Sequence, residues 1–291
     1  MIEKRKISKP DWLKIQLPNT ADYSWMNKTI RDNQLHTICT SGKCPNAAEC
    51  WSNGTATFMI LGNICTRACK FCNVPTGKPL AVDINEPIKV ARSIQLMKLK
   101  HAVITSVDRD DLEDGGASIW AQTIMEVKRL NPTTSMEVLI PDFSGLHHLI
   151  QQVIDAKPEV ISHNLETVRR LTPVIRTKAK YDLSLRVLKY ISQQNVVAKS
   201  GIMLGLGETD EEVFQTMDDM LEAGVSVVTI GQYLRPSAQN IEVFEYVHPD
   251  VFAKYKTVGL EKGFAYVESG PLVRSSYHAE KHINALKKKI K

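Results

Sequence analysis

The sequence has no cysteine after position 72, and no apolar run approaches the roughly 18 residues needed to cross a membrane. The opening residues, MIEKRKISKPDWLKI, lack the apolar stretch of a secretory signal, so we expect a cytoplasmic protein. Aromatic residues make up only 7% of the chain and the net charge is only +5, which argues against a nucleic-acid-binding protein. These absences predict a protein of a reducing compartment with neither membrane nor nucleic-acid partners.

All the cysteines that are present fall into two groups of three, with spacings C-x4-C-x5-C and C-x3-C-x2-C. Disulfide frameworks belong to small secreted domains, which a chain of 291 residues without an export signal does not resemble. Structural zinc sites usually take four protein ligands, whereas three thiolates can hold three corners of a [4Fe–4S] cluster. Two iron–sulfur sites are therefore the favoured prediction, with zinc as the alternative. The groups are Cys39, Cys44 and Cys50, and Cys65, Cys69 and Cys72.

Strand and helix patterns alternate through the middle of the chain. Short runs rich in Val and Ile predict strands at residues 55–61, 102–106, 136–140, 159–162, 196–204 and 225–231. Periodic apolar positions predict helices at residues 86–100, 117–130, 145–156, 182–194 and 210–223. Thr209 and Glu212 form a capping box for the last of these helices. Strands of this composition are typical of a parallel sheet covered by helices.

About six βα units in order leave two fold classes open, a doubly wound sheet and a full or partial barrel. In both, functional residues gather at the carboxyl ends of the strands, where the second cysteine group follows the first strand. Residues 55–239 form this predicted core. Residues 1–54 and 240–291 flank it as N- and C-terminal extensions.

The second cysteine group, with Phe71 just before its last cysteine, resembles the signature of radical S-adenosylmethionine enzymes. That resemblance implies that the amino and carboxylate groups of S-adenosylmethionine chelate the open iron of a [4Fe–4S] cluster. Reductive cleavage then gives a 5′-deoxyadenosyl radical, which abstracts hydrogen from an unactivated carbon.

The first cysteine group, placed just ahead of that motif, narrows the resemblance to the lipoyl synthase family, which the chain resembles nearly end to end. The matching segments include KPDWLK (9–14), LHTICTSGKCPNAAECW (35–51), TFMILGNICTRACKFCNV (57–74), VITSVDRDDLEDGGA (103–117), SHNLETV (162–168), KSGIMLGLGET (199–209) and GPLVRSSYHAE (270–280). The resemblance implies an α/β partial (β/α)6 TIM-type barrel whose extensions cover the open face. It also implies insertion of two sulfur atoms, at C6 and C8 of a protein-bound octanoyl-lysine. An auxiliary [4Fe–4S] cluster is the sulfur donor and is consumed.

The resemblance also assigns roles to individual residues. The radical cluster is implied on Cys65, Cys69 and Cys72. The auxiliary cluster is implied on the first cysteine group and Ser275, with Ser276 as the fallback, and an oxygen ligand can leave more readily than a thiolate. The implied contacts to S-adenosylmethionine are Ser106, Asp108, Asn164, Glu166 and Arg186. Read without the family, each of these polar residues fits a surface or capping group better than a ligand contact.

The partners implied are an octanoylated lipoyl carrier domain (of a 2-oxoacid dehydrogenase E2 or a glycine cleavage H protein), an electron donor, and an iron–sulfur carrier that rebuilds the consumed cluster. Lysines near the chain end form either a solvated helix end or a docking patch for an acidic partner. Asn240 stands where the family usually has histidine.

The competing hypotheses are another radical sulfurtransferase, biotin-synthase-like or tRNA-methylthiolating, and a non-enzymatic two-cluster electron carrier.

Overall fold

Seven parallel strands form one sheet in the part of the chain that the computed structural model describes, which is residues 8–14, 28, 37–41, 44, 46–277 and 279. Each strand pairs with the next one in the chain, so β1 and β7 are the two ends of the sheet. The strands β1 to β7 are Thr55–Ile60, His101–Ser106, Ser135–Leu139, Val160–Ser162, Val197–Leu204, Val227–Gln232 and Tyr266–Gly270. The sheet is not closed, and the predicted partial barrel of parallel strands is confirmed.

In the described part of the chain, two short helices precede β1, and the other helices follow individual strands and cover the sheet. Their bounds are Ile38–Ser41, Ala47–Ser52, Glu86–Leu96, Ala117–Leu130, His147–Asp155, Thr172–Ile175, Tyr181–Ser192, Asp210–Glu222 and Pro249–Lys262, with short 3₁₀ turns at Asp11–Leu13 and Phe143–Gly145. The helix predicted at residues 86–100 ends early, because Lys98 adopts a positive φ of 50° and turns the chain towards β2. The predicted capping box is present: Thr209 Oγ1 accepts from the Glu212 N–H at 3.3 Å, and the Glu212 carboxylate accepts from the Thr209 N–H at 2.9 Å.

The seventh strand lies in the stretch that sequence analysis treated as an extension. Only Val267 is fully buried among the residues of β7, and polar Glu268 and Ser269 follow it. A half-exposed edge strand of this kind lacks the continuous apolar run that predicts the inner strands. The pattern search therefore missed it.

The chain after β7 returns across the inner face of the sheet. We call residues 273–276 the serine segment. Thr57 of β1 donates to Ser276, Lys199 of β5 donates to Ser275, and a Cβ on Gly231 of β6 would lie 2.1 Å from the Val273 carbonyl oxygen.

Those contacts also show that the sheet curves. In a flat sheet β1 and β6 would lie about 24 Å apart, five strand spacings. Four residues extend over at most about 14 Å, so one short segment can touch both strands only where the sheet bends round it.

The N-terminal cysteine group lies beside the open edge of the sheet. Thr37 forms an antiparallel bridge with Phe58 of β1, and the helices Ile38–Ser41 and Ala47–Ser52 pack on the same strand. The C-terminal lysines lie outside the described residues, so the solvated helix end and the docking patch both stay predictions. Among the described residues, no helix is both long and apolar enough to span a bilayer.

Candidate active site

A cavity of about 520 Å³ opens at the carboxyl ends of the strands. Its walls come from the ends of β1 to β6, the second cysteine group, and the serine segment up to Ser275. Lys9 and Ile38 reach it from the N-terminal side. The cavity is where a parallel α/β fold is expected to hold its functional residues.

The loop carrying the second cysteine group is held by its own backbone. The Cys65 N–H donates to the Pro75 carbonyl at 2.8 Å, and the Cys72 N–H donates to the Cys69 carbonyl at 3.0 Å. Backbone N–H groups also point at sulfur: those of Asp108 and Arg67 lie 3.3 and 3.4 Å from Cys65 Sγ. Such donors stabilise a thiolate more than a thiol, which suits sulfur atoms that carry iron.

Arg67, between the first two cysteines of this loop, fixes the loop to its neighbours. Its guanidinium donates two hydrogen bonds to Asp110, at 2.8 and 2.7 Å, and two to Asp142, both at 2.8 Å. Asp110 follows β2 and Asp142 follows β3. The cysteine loop is therefore tied to the two adjacent strand ends without any metal.

Burial keeps the free thiols of this loop protonated. It raises the pKa of Cys65 to about 11, with the Asp108 carboxylate adding to the rise. It raises the pKa of Cys69 to about 12, although the Arg176 guanidinium opposes it. Metal binding must therefore displace protons from these sulfurs.

Three cysteines in a loop can serve one ion or a cluster. Among the described residues, no group of three His, Cys, Asp or Glu side chains is close enough to hold a single metal ion. A four-iron cluster places each thiolate on a different iron, so its ligands lie farther apart than those of one zinc ion. The donor set and the sulfur-directed N–H groups fit such a cluster.

The first cysteine group packs against the C-terminal tail. Burial raises the pKa of Cys39 to about 11, while hydrogen bonds with Thr57 lower it. Burial also raises the pKa of the Cys44 thiol, and the nearby Arg274 guanidinium opposes that rise. Asn46 donates to the Leu272 carbonyl at 2.6 Å, which ties the cysteine segment to the tail.

The two tail serines differ in their surroundings. Ser275 lines the cavity, and no hydrogen bond to its hydroxyl is formed within the described part of the chain. Ser276 does not line the cavity, and its Oγ accepts a hydrogen bond of 3.0 Å from Thr57. The three cysteines of the first group do not line the cavity themselves, but Ile38 beside Cys39 and Arg274 and Ser275 of the tail do.

Four of the five residues proposed for S-adenosylmethionine come together in the cavity wall: Ser106, Asp108, Asn164 and Glu166. Arg186 does not. It lies on the exposed face of the helix Tyr181–Ser192, whose opposite face is buried, and it does not line the cavity. The structure therefore does not bring Arg186 together with the other four residues.

Arg176 is a buried arginine of the cavity wall that lies next to Asn164. It is 8% exposed, and its Nη1 donates to the carbonyls of Asn164 and Leu165 at 3.1 and 3.2 Å. No sequence pattern marks Arg176, because it follows a short helix without a periodic pattern. The stretch that separates it from Glu166 forms no recognisable sequence motif.

Several buried polar atoms of the wall lack a partner within the described residues: Ser106 Oγ, Asn164 Oδ1 and Arg176 Nε. Buried donors and acceptors are normally paired, so these three indicate a polar ligand. A hydroxyl, an amide oxygen and a guanidinium N–H match an amino-acid group and ribose hydroxyls. The wall thus fits S-adenosylmethionine.

Glu166 is held in an uncommon backbone conformation. Its φ is 66°, and its N–H and carbonyl pair with Gly201 and Met203 of β5 at 3.0 and 2.9 Å. Burial raises the pKa of its carboxyl, which the Arg176 guanidinium opposes. Strain in a left-handed residue at a cavity is typical of a side chain placed for binding.

Asn240 contacts the radical-cluster loop. Its side-chain amide donates to the Cys72 carbonyl at 2.7 Å and to the Lys70 carbonyl at 3.3 Å. The departure from the family's usual histidine therefore concerns a residue that supports the cysteine loop.

Comparisons with known proteins agree with this geometry. The radical SAM superfamily model matches residues 59–220. The lipoyl synthase of Treponema denticola is 64% identical over 94% of this chain and 95% of its own length. That of Parabacteroides distasonis is 62% identical over 95% and 99%.

Solved structures share the fold at low identity. Methylornithine synthase superposes with a TM-score of 0.56 at 11% identity, over 84% of this chain and 76% of its own. The FeFe-hydrogenase maturase HydG from Carboxydothermus hydrogenoformans gives 0.55 at 13%, over 92% and 70%. The close relatives and the superfamily match show that the chain belongs to the lipoyl synthase family of the radical S-adenosylmethionine superfamily.

Proposed function

We propose that this chain inserts two sulfur atoms, at C6 and C8 of an octanoyl group that is amide-linked to a lysine of a carrier domain. The family membership supports the reaction. The observation that carries it in this chain is that Ser275, from the far end of the sequence, lines the same cavity as the second cysteine group. An electron carrier would have no use for a serine in that place.

Two [4Fe–4S] clusters supply the chemistry when bound, one cleaving S-adenosylmethionine reductively and the other giving up sulfur. Cys65, Cys69 and Cys72 would hold the first. Cys39, Cys44 and Cys50 with Ser275 would hold the second. The Arg67 contacts fix the loop of the second cysteine group before any cluster binds, and the sulfur-directed N–H groups favour thiolates there.

The cavity wall would bind S-adenosylmethionine through its unpaired groups. Arg176 is proposed to pair with the carboxylate, because its buried Nε lacks a partner within the described residues, whereas Arg67 is already bonded to Asp110 and Asp142. Asn164 and Glu166 are proposed to hold the ribose hydroxyls, and Ser106 and Asp108 the methionyl group. These contacts would orient the cofactor and exclude water.

The octanoyl chain would enter past the apolar part of the wall, which includes Met59, Phe71, Leu139 and Met203. An acyl chain gains by leaving water for such a surface. The carrier, an electron donor and an iron–sulfur carrier are the partners that this reaction needs.

The test is an anaerobic incubation with an octanoyl-lysine carrier peptide, S-adenosylmethionine and dithionite. Mass spectrometry should show two added sulfur atoms, and the reconstituted chain should hold about eight irons, the sum of two four-iron clusters. Protein that holds only zinc, or that cleaves S-adenosylmethionine without adding sulfur, would contradict the proposal.

A matched pair of variants separates the two clusters. Cys65→Ala should abolish 5′-deoxyadenosine formation, whereas Cys39→Ala should preserve it and abolish sulfur insertion. Product from Cys39→Ala would show that the donor assignment is wrong.

A further inference from the structure

A buried ion pair lies on the inner face of the sheet, outside the cavity wall. Lys199 of β5 and Glu137 of β3 are 0% and 1% exposed. Lys199 Nζ lies 2.7 and 2.8 Å from the two Glu137 carboxylate oxygens. A buried pair is expensive to desolvate and is weak evidence for a role in stability, so its position needs another reason.

The ammonium has a further partner that supplies this reason. Lys199 Nζ donates to the main-chain carbonyl of Ser275 at 2.5 Å. A carbonyl that lies inside a barrel needs a donor, and a charged donor gives a stronger bond than a neutral one. Lys199 therefore connects two strands of the barrel to the chain end.

The adjacent residues of the serine segment are also fixed. Ser276 Oγ accepts from Thr57, and Gly231 leaves room for the Val273 carbonyl, which a Cβ would block. A bond to the main chain of Ser275 leaves its hydroxyl available, whereas the bond to Ser276 uses the hydroxyl itself. The contacts therefore select which of two neighbouring serines faces the cavity.

We propose that the Glu137–Lys199 pair positions the serine segment: Glu137 holds the ammonium, and Lys199 holds the Ser275 carbonyl so that the Ser275 hydroxyl reaches the cavity. This inference rests on the proposed role of Ser275 as an auxiliary-cluster ligand. Glu137 and Lys199 are positioning residues, because neither lines the cavity.

The test uses the full-length double variant Glu137→Leu/Lys199→Met. An apolar pair of similar size replaces the buried charges, so the fold should survive, but the bond to Ser275 is lost. Hydrogen exchange of the peptide that covers residues 271–277 is measured before and after anaerobic iron–sulfide reconstitution. Before reconstitution we expect it to exchange about tenfold faster or more than in the wild type, the effect of losing one charge-assisted hydrogen bond.

Two further variants separate positioning from stability. Asn131→Ala removes a buried amide that bonds to Ala91 and Val127, far from the tail, and should leave tail exchange unchanged. Glu137→Gln breaks the ion pair but keeps the Lys199 donor, and tail exchange should rise less than in the double variant. Should the double variant fail to fold, Glu137→Gln/Lys199→Gln takes its place. The glutamine side chain at position 199 is one bond shorter than that of lysine, so its amide falls short of the Ser275 carbonyl.

Iron content links the pair to the proposed chemistry. The reconstituted double variant should lose about half of the wild-type iron, the share of one of two clusters, and should still form 5′-deoxyadenosine. Unchanged tail exchange would overturn the positioning role. Faster exchange with full iron would overturn its link to the auxiliary cluster, while a wild type that never holds two clusters would overturn the proposed function instead.

Discussion

Replacing Arg67 by methionine should destabilise the metal-free chain strongly, because its guanidinium holds two carboxylates at once. The Arg67 side chain is 6% exposed and that of Asp142 is 3% exposed, so the substitution leaves a buried carboxylate without its partner. Breaking a buried pair in this way costs about 3–5 kcal/mol. Arg67 hydrogen bonds hold the pKa of Asp142 at about 2 against burial. A lowering of this size corresponds to about 2–3 kcal/mol, close to the lower end of that range.

The same contact sets a pH dependence with a definite sign. A carboxyl whose pKa is lowered on folding contributes stability above its unfolded pKa of about 3.9, and loses it as the pH falls through the folded value of about 2. The difference between the wild type and Arg67→Met should therefore be full at pH 7 and shrink below about pH 4.

Urea unfolding followed by circular dichroism, on metal-free protein across that pH range, measures the effect. Arg129→Met is the matched control, because Arg129 pairs with Glu126 on an exposed helix face and should leave the midpoint unchanged. Arg67→Met/Asp142→Asn should recover part of the loss. An Arg67→Met chain as stable as the control would refute the reasoning.

Further predictions concern the tail, the cofactor wall and the barrel interior. Ser275→Ala should abolish sulfur insertion and lower iron content while Ser276→Ala keeps both, checked by product mass and iron analysis. Arg176→Met should weaken S-adenosylmethionine binding to the reconstituted protein by roughly tenfold to a hundredfold in equilibrium dialysis, and Arg186→Met should not change it. Burial and the Lys199 charge lower the pKa of His101 to about 3, so the stability of the neutral ring is lost as the pH falls from about 6.5 towards 3. His101→Gln should flatten that part of the urea-measured pH dependence, and an identical slope would contradict the assignment.

Local patterns in the sequence were enough to predict the inner strands and most helices. The helix Ala117–Leu130 begins and ends as predicted, because its apolar positions repeat regularly and Asn131-Pro132 ends it. The capping box formed by Thr209 and Glu212 was also predicted from the local sequence. These features depend on neighbours in the chain, which a sequence shows directly.

Local sequence patterns do not predict features that depend on residues far apart in the chain. Arg186 lies opposite the buried face of its helix, which carries Ser184, Val187 and Leu188. Arg176 has no such pattern around it.

The contact between Lys199 and Ser275 joins residues 76 positions apart, and no periodicity predicts it. Family resemblance located the serine, but only the fold shows what holds it.

The open sheet gives a physical reason for that unpredictable contact. A closed barrel fills its interior with layers of branched side chains. Here Gly231 leaves space on the inner face, and the main chain at Val273 occupies it. Main chain brings carbonyl groups that must be hydrogen-bonded, and strands whose own N–H groups are already paired cannot supply the donors. A long charged side chain from a strand can do so, and Glu137 then neutralises it. The buried pair thus follows from placing the tail inside the barrel, and that placement is what brings the serine to the cavity.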